Sequence, residues 1–208
     1  MGKYIQYGCG FSAPEAWTNY DASPTLRFER LPIVGKIYTR NSQRFPENVK
    51  YGDIVKGLPE QPNSCDGIYC SHVLEHLAYN DFLRALKNTY LILKPGGLFR
   101  GVVPDLKAAA LDYIEKFDTN ASPANSFMQS TMLGIEDRGT NLIGMAKGIL
   151  GNSKHLWMWD YKTLKYELEK AGFKNVRPCV LGDSADSNFS LVEEESRFYS
   201  AAAFECQK

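Results

Sequence analysis

The chain has 208 residues, the length of one ordinary domain, and Lys plus Arg balance Asp plus Glu at 24 each. Its apolar content of 44% and its charged content of 23% are typical of a globular protein. The charge balance argues against a nucleic-acid partner, and no apolar run reaches the roughly 18 residues that a membrane-spanning helix needs. We therefore expect a single domain over residues 1–208, with no nucleic-acid partner and no stable membrane insertion.

The cysteines and the first residues indicate the compartment. There are five cysteines, an odd number, and no two of them have the C-x-x-C spacing. This pattern argues against a disulfide framework and against a zinc site made of thiolates. The first residues lack the apolar core of a signal peptide. We expect a reduced, cytoplasmic protein.

The first half of the chain predicts four short strands, each a run of β-forming residues bounded by turn residues. These strands span Tyr4–Tyr7, Trp17–Asp21, Val49–Ile54 and Asp66–Ser71. Residues 22–47 are expected to be irregular, because three prolines interrupt any long element there.

The second half begins with an apolar period of 3.6 residues, which predicts a helix over Asp81–Leu93. Pro95, Gly96 and Gly97 are expected to end that helix and to turn the chain. Residues 118–158 have weak periodicity and are expected to form an irregular lid or insertion. The other predicted elements are a strand over Leu98–Val103, a helix from Pro104 to Phe117, a helix over Tyr161–Ala171, and strands over Val176–Leu181 and Phe198–Glu205.

Strands that alternate with helices predict an α/β fold with a doubly wound, mostly parallel sheet. Such sheets bind ligands beyond the carboxyl ends of their strands. Glycines at 8 and 10 follow the first predicted strand, where they let a ligand approach the backbone. A carboxylate at Asp21, at the end of the second strand, suits a ribose, and Asp53 suits an exocyclic amine. The pattern predicts a nucleoside crevice at this edge.

The glycine turn also fits a dinucleotide fingerprint, because Gly8, Gly10 and Ala13 have the spacing G-x-G-x-x-A. That fingerprint requires a full helix and then an acid about 20 residues further on. Pro14 leaves room for only a short helical turn, although Glu29 has roughly the right offset. A nicotinamide-dependent oxidoreductase that uses Glu29 therefore stays open as an alternative.

The segment SHVLEHL contains the pattern H-x-x-E-H at His72, Glu75 and His76, as in an inverted zinc-protease motif. Such a motif needs a continuous helix and a third ligand downstream. Here His72 directly follows a predicted strand, so we expect it at the turn that faces the crevice. The only other histidine is His155, so a third ligand would have to be a carboxylate. We predict no metal site, with a zinc hydrolase as an alternative.

Taken together, these stretches make the chain resemble a class I S-adenosylmethionine-dependent methyltransferase, of the type 11-like methyltransferase-domain subgroup. The resemblance implies a Rossmann-like, seven-stranded sheet whose last strand is antiparallel. It rests on Gly8-Cys9-Gly10, the strand ending in Asp21, YGDI at 51–54, CDGIYCSHVLEHL at 65–77, LKPGG at 93–97, VVPDL at 102–106, HLWMWD at 155–160 and EKAGF at 169–173.

The resemblance also implies S-adenosylmethionine as the cofactor and a role for each matching position. Gly8 and Gly10 would line its methionine part, and Asp21 would bind the ribose. The adenine would be flanked by Asp53 and Ile54, and the sulfonium would lie near Ser71 and His72. Tyr7, Cys9 and Ala22 complete the predicted cofactor-binding set.

Methyl transfer from a sulfonium mainly requires alignment of the nucleophile, and a base is needed only for a hydroxyl or a protonated amine. We predict His155 and His72 as catalytic candidates, with Asp105 and Asp160 as further candidates that also fit helix starts. The acceptor is expected to be a small molecule or a glycan or lipid precursor. The apolar segment 142–151 is interpreted as a lid, with a dimer contact or a weak membrane-surface element as alternatives. For the function, the main alternative is a non-catalytic cofactor-binding domain.

Overall fold

The structure is a computed structural model that describes residues 2–33, 43–136 and 154–208. Its strands are β1 (Tyr4–Tyr7), β2 (Thr18–Asp21), β3 (Val49–Tyr51), β4 (Cys65–Ser71), β5 (Leu93–Pro104), β6 (Lys174–Pro178) and β7 (Ala201–Gln207). Its α-helices are α1 (Pro24–Glu29), α2 (Tyr79–Ile92), α3 (Leu106–Glu115), α4 (Pro123–Ser130), α5 (Tyr161–Lys170) and α6 (Glu195–Phe198). Short 3-10 helices span Leu74–His76 and Ser187–Leu191. Within these ranges no helix is long and apolar enough to cross a membrane.

The described strands form one seven-stranded sheet in the order β3-β2-β1-β4-β5-β7-β6. Strands β1 to β5 pair in parallel, and β7 is antiparallel to both β5 and β6. This confirms the predicted doubly wound, mostly parallel sheet with an antiparallel last strand. Because β1, β2, β3 and β4 run in the same direction, their carboxyl ends meet at one edge, where the predicted site residues stand.

Side-chain alternation along the strands builds a core on each face of the sheet. On one face, Ile5 of β1 and Ile68 of β4 pack with Phe82 of α2. On the other face, Tyr69 of β4 packs with Trp17 and Phe189. The second face is therefore covered by the connection between β6 and β7, which includes the 3-10 helix at Ser187–Leu191.

Two segments that were expected to be irregular contain helices. Ser23 accepts a hydrogen bond from the Thr25 N–H and caps α1, and Pro24 begins that helix, where its missing N–H costs nothing. In the expected lid, α4 also begins with a proline and packs against α3, with 5.7 Å between the ring centroids of Tyr113 and Phe127. The apolar segment 142–151 lies outside the described residues.

Pro95, Gly96 and Gly97 do not end the helix as predicted, because α2 ends at Ile92 and these three residues lie inside β5. Strand pairing places Leu93 opposite Cys65 and Leu98 opposite Gly67, so five steps along β5 match two steps along β4. The three extra residues therefore form a bulge inside β5. Gly96 has a φ of +77°, which glycine adopts without strain.

Most other strand and helix boundaries differ from the predicted ones by one to three residues. Strand β3 ends at Tyr51, before the predicted Ile54, because a turn follows in which the Lys56 N–H donates to the Asp53 carbonyl at 3.1 Å. The final strand was predicted to begin at Phe198, but Phe198 is the last residue of the short helix α6. Strand β7 consequently begins at Ala201.

Arg100, at the middle of β5, is a fully buried cation. Its guanidinium forms ion pairs with Glu193, with Asp183 at 2.8 Å and with Glu205 at 3.2 Å. It also donates to the Val180 carbonyl at 2.6 Å. These bonds satisfy a buried charge and tie the connection between β6 and β7 to the central strand.

Arg100→Leu should lower the free energy of unfolding by about 3–5 kcal/mol, because it leaves the buried Glu193 carboxylate without its cation. Urea denaturation followed by circular dichroism measures this. The control is Lys94→Met, which removes a partly exposed ion pair with Asp66 and should cost at most about 1 kcal/mol. Equal losses in the two variants would contradict this account of the Arg100 network.

Candidate functional site

The turn after β1 is held in place by a carboxylate from the next strand. Gly8 and Gly10 have φ angles of +66° and +56°, a region that other residues rarely adopt. The Gly10 N–H donates to Asp21 Oδ2 at 3.0 Å, and the Ser23 N–H donates to Asp21 Oδ1 at 2.7 Å. A carboxylate offers about four acceptor positions, so Asp21 can still accept hydrogen bonds from a ligand.

The turn after β3 brings a second carboxylate to the same edge. Asp53 follows Gly52, whose N–H is bonded to the Asp21 carbonyl. Its side chain accepts from the Val55 N–H at 3.0 Å and pairs with Lys56, also at 3.0 Å. Ile54 is buried in the core. Ala22, directly after Asp21, is partly buried at this edge.

A cavity of about 30 Å³ lies between the carboxyl ends of β1 and β4. Gly8, Cys9 and Ser71 line its sheet side, and Glu194 and Arg197 line the opposite side. Tyr69 also lines this cavity. The hydroxyls of Tyr69 and Ser71 are buried next to each other, and neither has a hydrogen-bond partner among the other described residues. Buried hydroxyls of this kind indicate a place for a polar ligand.

These groups fit S-adenosylmethionine. Gly10 leaves room for a ligand next to the backbone, because a Cβ built on it would have no atom within 4 Å. Asp21 has a carboxylate of the kind that ribose hydroxyls would need, and Ser71 has a buried hydroxyl. A ligand of this size needs a pocket of roughly 300 Å³ or more. The segment containing Glu194 and Arg197 would therefore have to move to admit the whole cofactor.

Tyr7 and Cys9 have side chains that serve the core. Both residues line the cavity, but the Tyr7 hydroxyl accepts from Thr89 of α2 at 3.3 Å in the interior. Burial raises the pKa of the Cys9 thiol to about 12, so this cysteine is not a reactive thiolate.

His72 stands at the turn after β4, as predicted, with a φ of 53°. Its Nε2 donates to the carbonyl of Arg197 at 3.0 Å, since a carbonyl can only accept, and its Nδ1 lies 3.4 Å from Glu75 Oε1. Burial lowers the pKa of His72, but the contacts with Glu75 and Arg197 outweigh it and raise the pKa above its usual value. His72 thus joins the cavity wall to Glu75.

The motif H-x-x-E-H does not lie on a continuous helix. His72 precedes a single 3-10 turn at Leu74–His76, and α2 begins only at Tyr79. This agrees with the expected turn at His72 and differs from the helix of a zinc protease.

The segment that follows residue 153 packs onto this 3-10 turn. The backbone N–H groups of Leu156 and Trp157 donate to the Glu75 carbonyl at 2.7 and 3.1 Å. As a result, His155 Nε2 lies 3.9 Å from Glu75 Oε1, and the ring centroids of His155 and His76 are 4.9 Å apart. Burial lowers the pKa of His155. The contact between His155 and the Glu75–His76 turn was not predicted from the sequence. The one available signal was that the chain has only three histidines, two of which lie in the H-x-x-E-H motif.

Three other candidates have structural roles. Asp105 caps α3 by accepting from the Lys107 N–H at 2.9 Å, and Asp160 caps α5 by accepting from the Thr163 N–H at 2.8 Å. Glu29 lies at the end of α1 and accepts from the Phe45 N–H at 3.0 Å. It therefore does not follow a strand, as the acid of a dinucleotide fold would.

Comparison with known proteins defines the class. Residues 8–177 match the methyltransferase domain family, so the chain belongs to that family. It is accordingly an S-adenosylmethionine-dependent methyltransferase, as the resemblance implied. No curated protein gives a significant match.

Solved structures share the fold at low sequence identity. A methyltransferase from Thermotoga maritima, described as a possible histamine N-methyltransferase, is 17% identical with a TM-score of 0.51, over 100% of this chain and 83% of its own. One from Methanosarcina mazei is 14% identical with a TM-score of 0.51, over 100% and 92%. PigF with S-adenosylhomocysteine is 17% identical with a TM-score of 0.51, over 99% and 50%.

Gly8→Ala should destabilise the protein more than Gly10→Ala. Both variants put alanine at a positive φ, at a cost of about 1 kcal/mol or more. Only at Gly8 would the new Cβ overlap a neighbour, the Cγ2 methyl of Val73. We expect Gly8→Ala to cost about 1–2 kcal/mol more than Gly10→Ala in urea denaturation.

The double variant Gly8→Ala with Val73→Ala separates overlap from backbone strain. Removing the Val73 methyls should make the Gly8→Ala change less costly than it is in the wild-type background. If the two substitutions change the free energy of unfolding additively, the turns at Gly8 and Val73 are not in steric contact, and this account of the overlap is wrong.

Proposed function

We propose that the cofactor lies along the carboxyl edge of the sheet, with its methionine part at Gly8 and Gly10. Asp21 and Ala22 hold the ribose, Asp53 and Ile54 flank the adenine, and Ser71 and His72 lie near the transferred methyl group. Tyr7 and Cys9 contribute backbone next to the glycine turn. We keep residues 1–208 as a single domain in this proposal.

The observation that carries the proposal is the hydrogen bond from the Gly10 N–H to Asp21. It joins the two features that a nucleoside pocket requires, an open glycine turn and a carboxylate at the end of the second strand. The buried Ser71 hydroxyl lines the same cavity as Gly8 and Cys9 of the glycine turn. These observations support a crevice that offers a backbone approach, a ribose acceptor and a polar contact.

The chemistry that the cofactor supplies is a methyl group on a good leaving group, so the protein mainly aligns the acceptor. Of the two predicted catalytic histidines, His72 is the nearer in sequence to Ser71, and it contacts Arg197 at the cavity wall. His155 is more deeply buried and reaches the crevice only through Glu75. We propose His72 as the group nearest the acceptor and His155 as a positioning residue.

For the acceptor we propose a small molecule or a glycan or lipid precursor. The chain carries no net charge, and a nucleic-acid substrate usually requires a basic surface. We propose cytoplasmic action without stable membrane insertion. The lid and dimer contact considered for segment 142–151 concern residues outside the described ranges.

Wild-type protein should bind S-adenosylhomocysteine in roughly the micromolar range, about −8 kcal/mol, in a calorimetric titration. Asp21→Asn keeps the size of the side chain but removes its charge, and should weaken binding by about 1–3 kcal/mol. Asp53→Asn should weaken it by less, because its carboxylate is partly exposed and already paired with Lys56.

The matched control is Asp66→Asn. Asp66 lies near the opposite end of β4 and pairs with Lys94, so this variant should bind as the wild type does. Failure of folded wild-type protein to bind would overturn the proposed cofactor position, as would equal losses in Asp21→Asn and Asp66→Asn.

The acceptor class is tested with methyl-labelled S-adenosylmethionine and a cell extract separated into small-molecule, lipid, RNA and protein fractions. We expect label in the small-molecule or lipid fraction, at a rate that Asp21→Asn lowers at least about tenfold. Label confined to the RNA or protein fraction would refute the proposed acceptor class and leave the cofactor site standing.

A further inference from the structure

A buried carboxylate stands among all the histidines of the chain. Glu75 is fully buried, and neither of its carboxylate oxygens has a hydrogen-bond partner among the described residues. Glu75 Oε1 lies 3.4 Å from His72 Nδ1, 3.9 Å from His76 Nε2 and 3.9 Å from His155 Nε2. Leaving an ionised carboxylate buried without partners is very costly, and a bound cation would offset that cost.

Hydrogen bonds fix which nitrogen of two of these rings carries a proton. His76 Nδ1 donates to the Lys154 carbonyl at 2.9 Å, so in the neutral ring Nε2 keeps its lone pair toward Glu75. His72 Nε2 donates to the Arg197 carbonyl, which leaves the lone pair on Nδ1. Carbonyl oxygens orient metal-binding histidines in the same way. In the neutral rings, both lone pairs therefore converge on Glu75 Oε1.

The spacing of these atoms matches a shared metal ion. One ligand atom from each of Glu75, His76 and His155 lies within 4.8 Å of the others. Zinc ligands lie about 2.0–2.2 Å from the ion, so two of them are roughly 3.3–3.6 Å apart at a tetrahedral angle. Glu75 Oε1 lies 3.9 Å from both His76 Nε2 and His155 Nε2, so each of these pairs needs to close by only roughly 0.3–0.6 Å to reach that geometry.

From this geometry we propose that Glu75, His76 and His155 bind a divalent transition-metal ion of the Zn²⁺ class, and that His72 closes the fourth side. Imidazole with one carboxylate suits zinc, cobalt or iron better than magnesium, which prefers oxygen ligands. The ion would supply the positive charge that Glu75 lacks. The sequence predicted no metal site, because His155 was not expected to lie near His72, Glu75 and His76. The proposal replaces that prediction.

The ligand segments are held in place from both sides. The Glu75 carbonyl accepts from Leu156 and Trp157, and the Trp159 indole lies fully buried against Phe82, with ring centroids 4.1 Å apart. These contacts fix His155 opposite the 3-10 turn before any ion binds. Such preorganisation lowers the entropy cost of assembling a site.

The test is a calorimetric titration of ZnCl2 into full-length, chelator-treated protein that carries no oligohistidine tag. We expect one equivalent to bind with micromolar or tighter affinity, and MgCl2 to bind at least about 100-fold more weakly. Glu75→Gln removes the charge while keeping the shape, and should weaken zinc binding at least about 100-fold, since loss of a mere supporting residue already costs 10–100-fold. His155→Ala should weaken zinc binding by a similar factor.

Glu167→Gln is the matched control, because Glu167 is a second buried glutamate that bonds to Tyr79 and lies in α5. This variant should bind zinc as the wild type does. Circular dichroism and the urea midpoint show whether each variant is folded, and His155→Ala is compared only if it is. Because Glu75→Gln replaces an unpartnered charge with a neutral group, we expect it to fold.

The ring signals in a nuclear magnetic resonance spectrum report on this site alone, because the chain has no further histidines. The ring signals of all three histidines should shift on addition of ZnCl2. CoCl2 should give no thiolate-to-metal absorption band, since all five cysteines are buried outside this cluster. No zinc binding by wild-type protein, or equal binding by Glu75→Gln, would overturn the proposal. Glu75 and His72 would then form a buried ion pair. The cofactor site is tested separately by S-adenosylhomocysteine binding in Asp21→Asn, since Asp21 lies outside the histidine cluster.

Discussion

The close approach of two turns governs the arrangement of this protein. Gly8, after β1, packs so tightly against Val73 that a single Cβ would overlap it. The turn after β4 is therefore fixed relative to the glycine turn. Ser71, before Val73, faces the cavity, and Glu75, after it, lies at the centre of the histidine cluster. One backbone constraint thus sets the positions of both candidate sites.

A second layer of the structure covers this edge. Arg100 binds Glu193, and the residues next to Glu193 line the cavity opposite the sheet. A buried ion pair of this kind stabilises weakly but specifies a position strongly, since breaking it leaves a charge without a partner. The segment over the cavity is therefore anchored at Glu193, while the side chain of Glu194, the next residue, takes no part in the Arg100 network.

Much of the fold could be predicted from local patterns, because the strand ends carry glycine and aspartate and α2 has a clear apolar period. The carboxyl edge, the turn at His72 and the caps at Asp105 and Asp160 followed from the same local chemistry. The bulge in β5 and helix α4 did not, since the bulge depends on register with β4 and the helix on packing against α3. The meeting of His155 with Glu75 depends on a contact between residues 80 positions apart, which no local period encodes.

A crystal structure of the full-length protein with S-adenosylhomocysteine would test the central claim most directly, namely that the cofactor lies across the carboxyl edge of the sheet. The account predicts ligand density from the Gly8–Gly10 turn to Ser71, with the ribose at Asp21 and with Glu194 and Arg197 displaced outward. Ligand bound elsewhere, or a ligand-free cavity that keeps its volume of about 30 Å³ in crystals grown with saturating ligand, would contradict it.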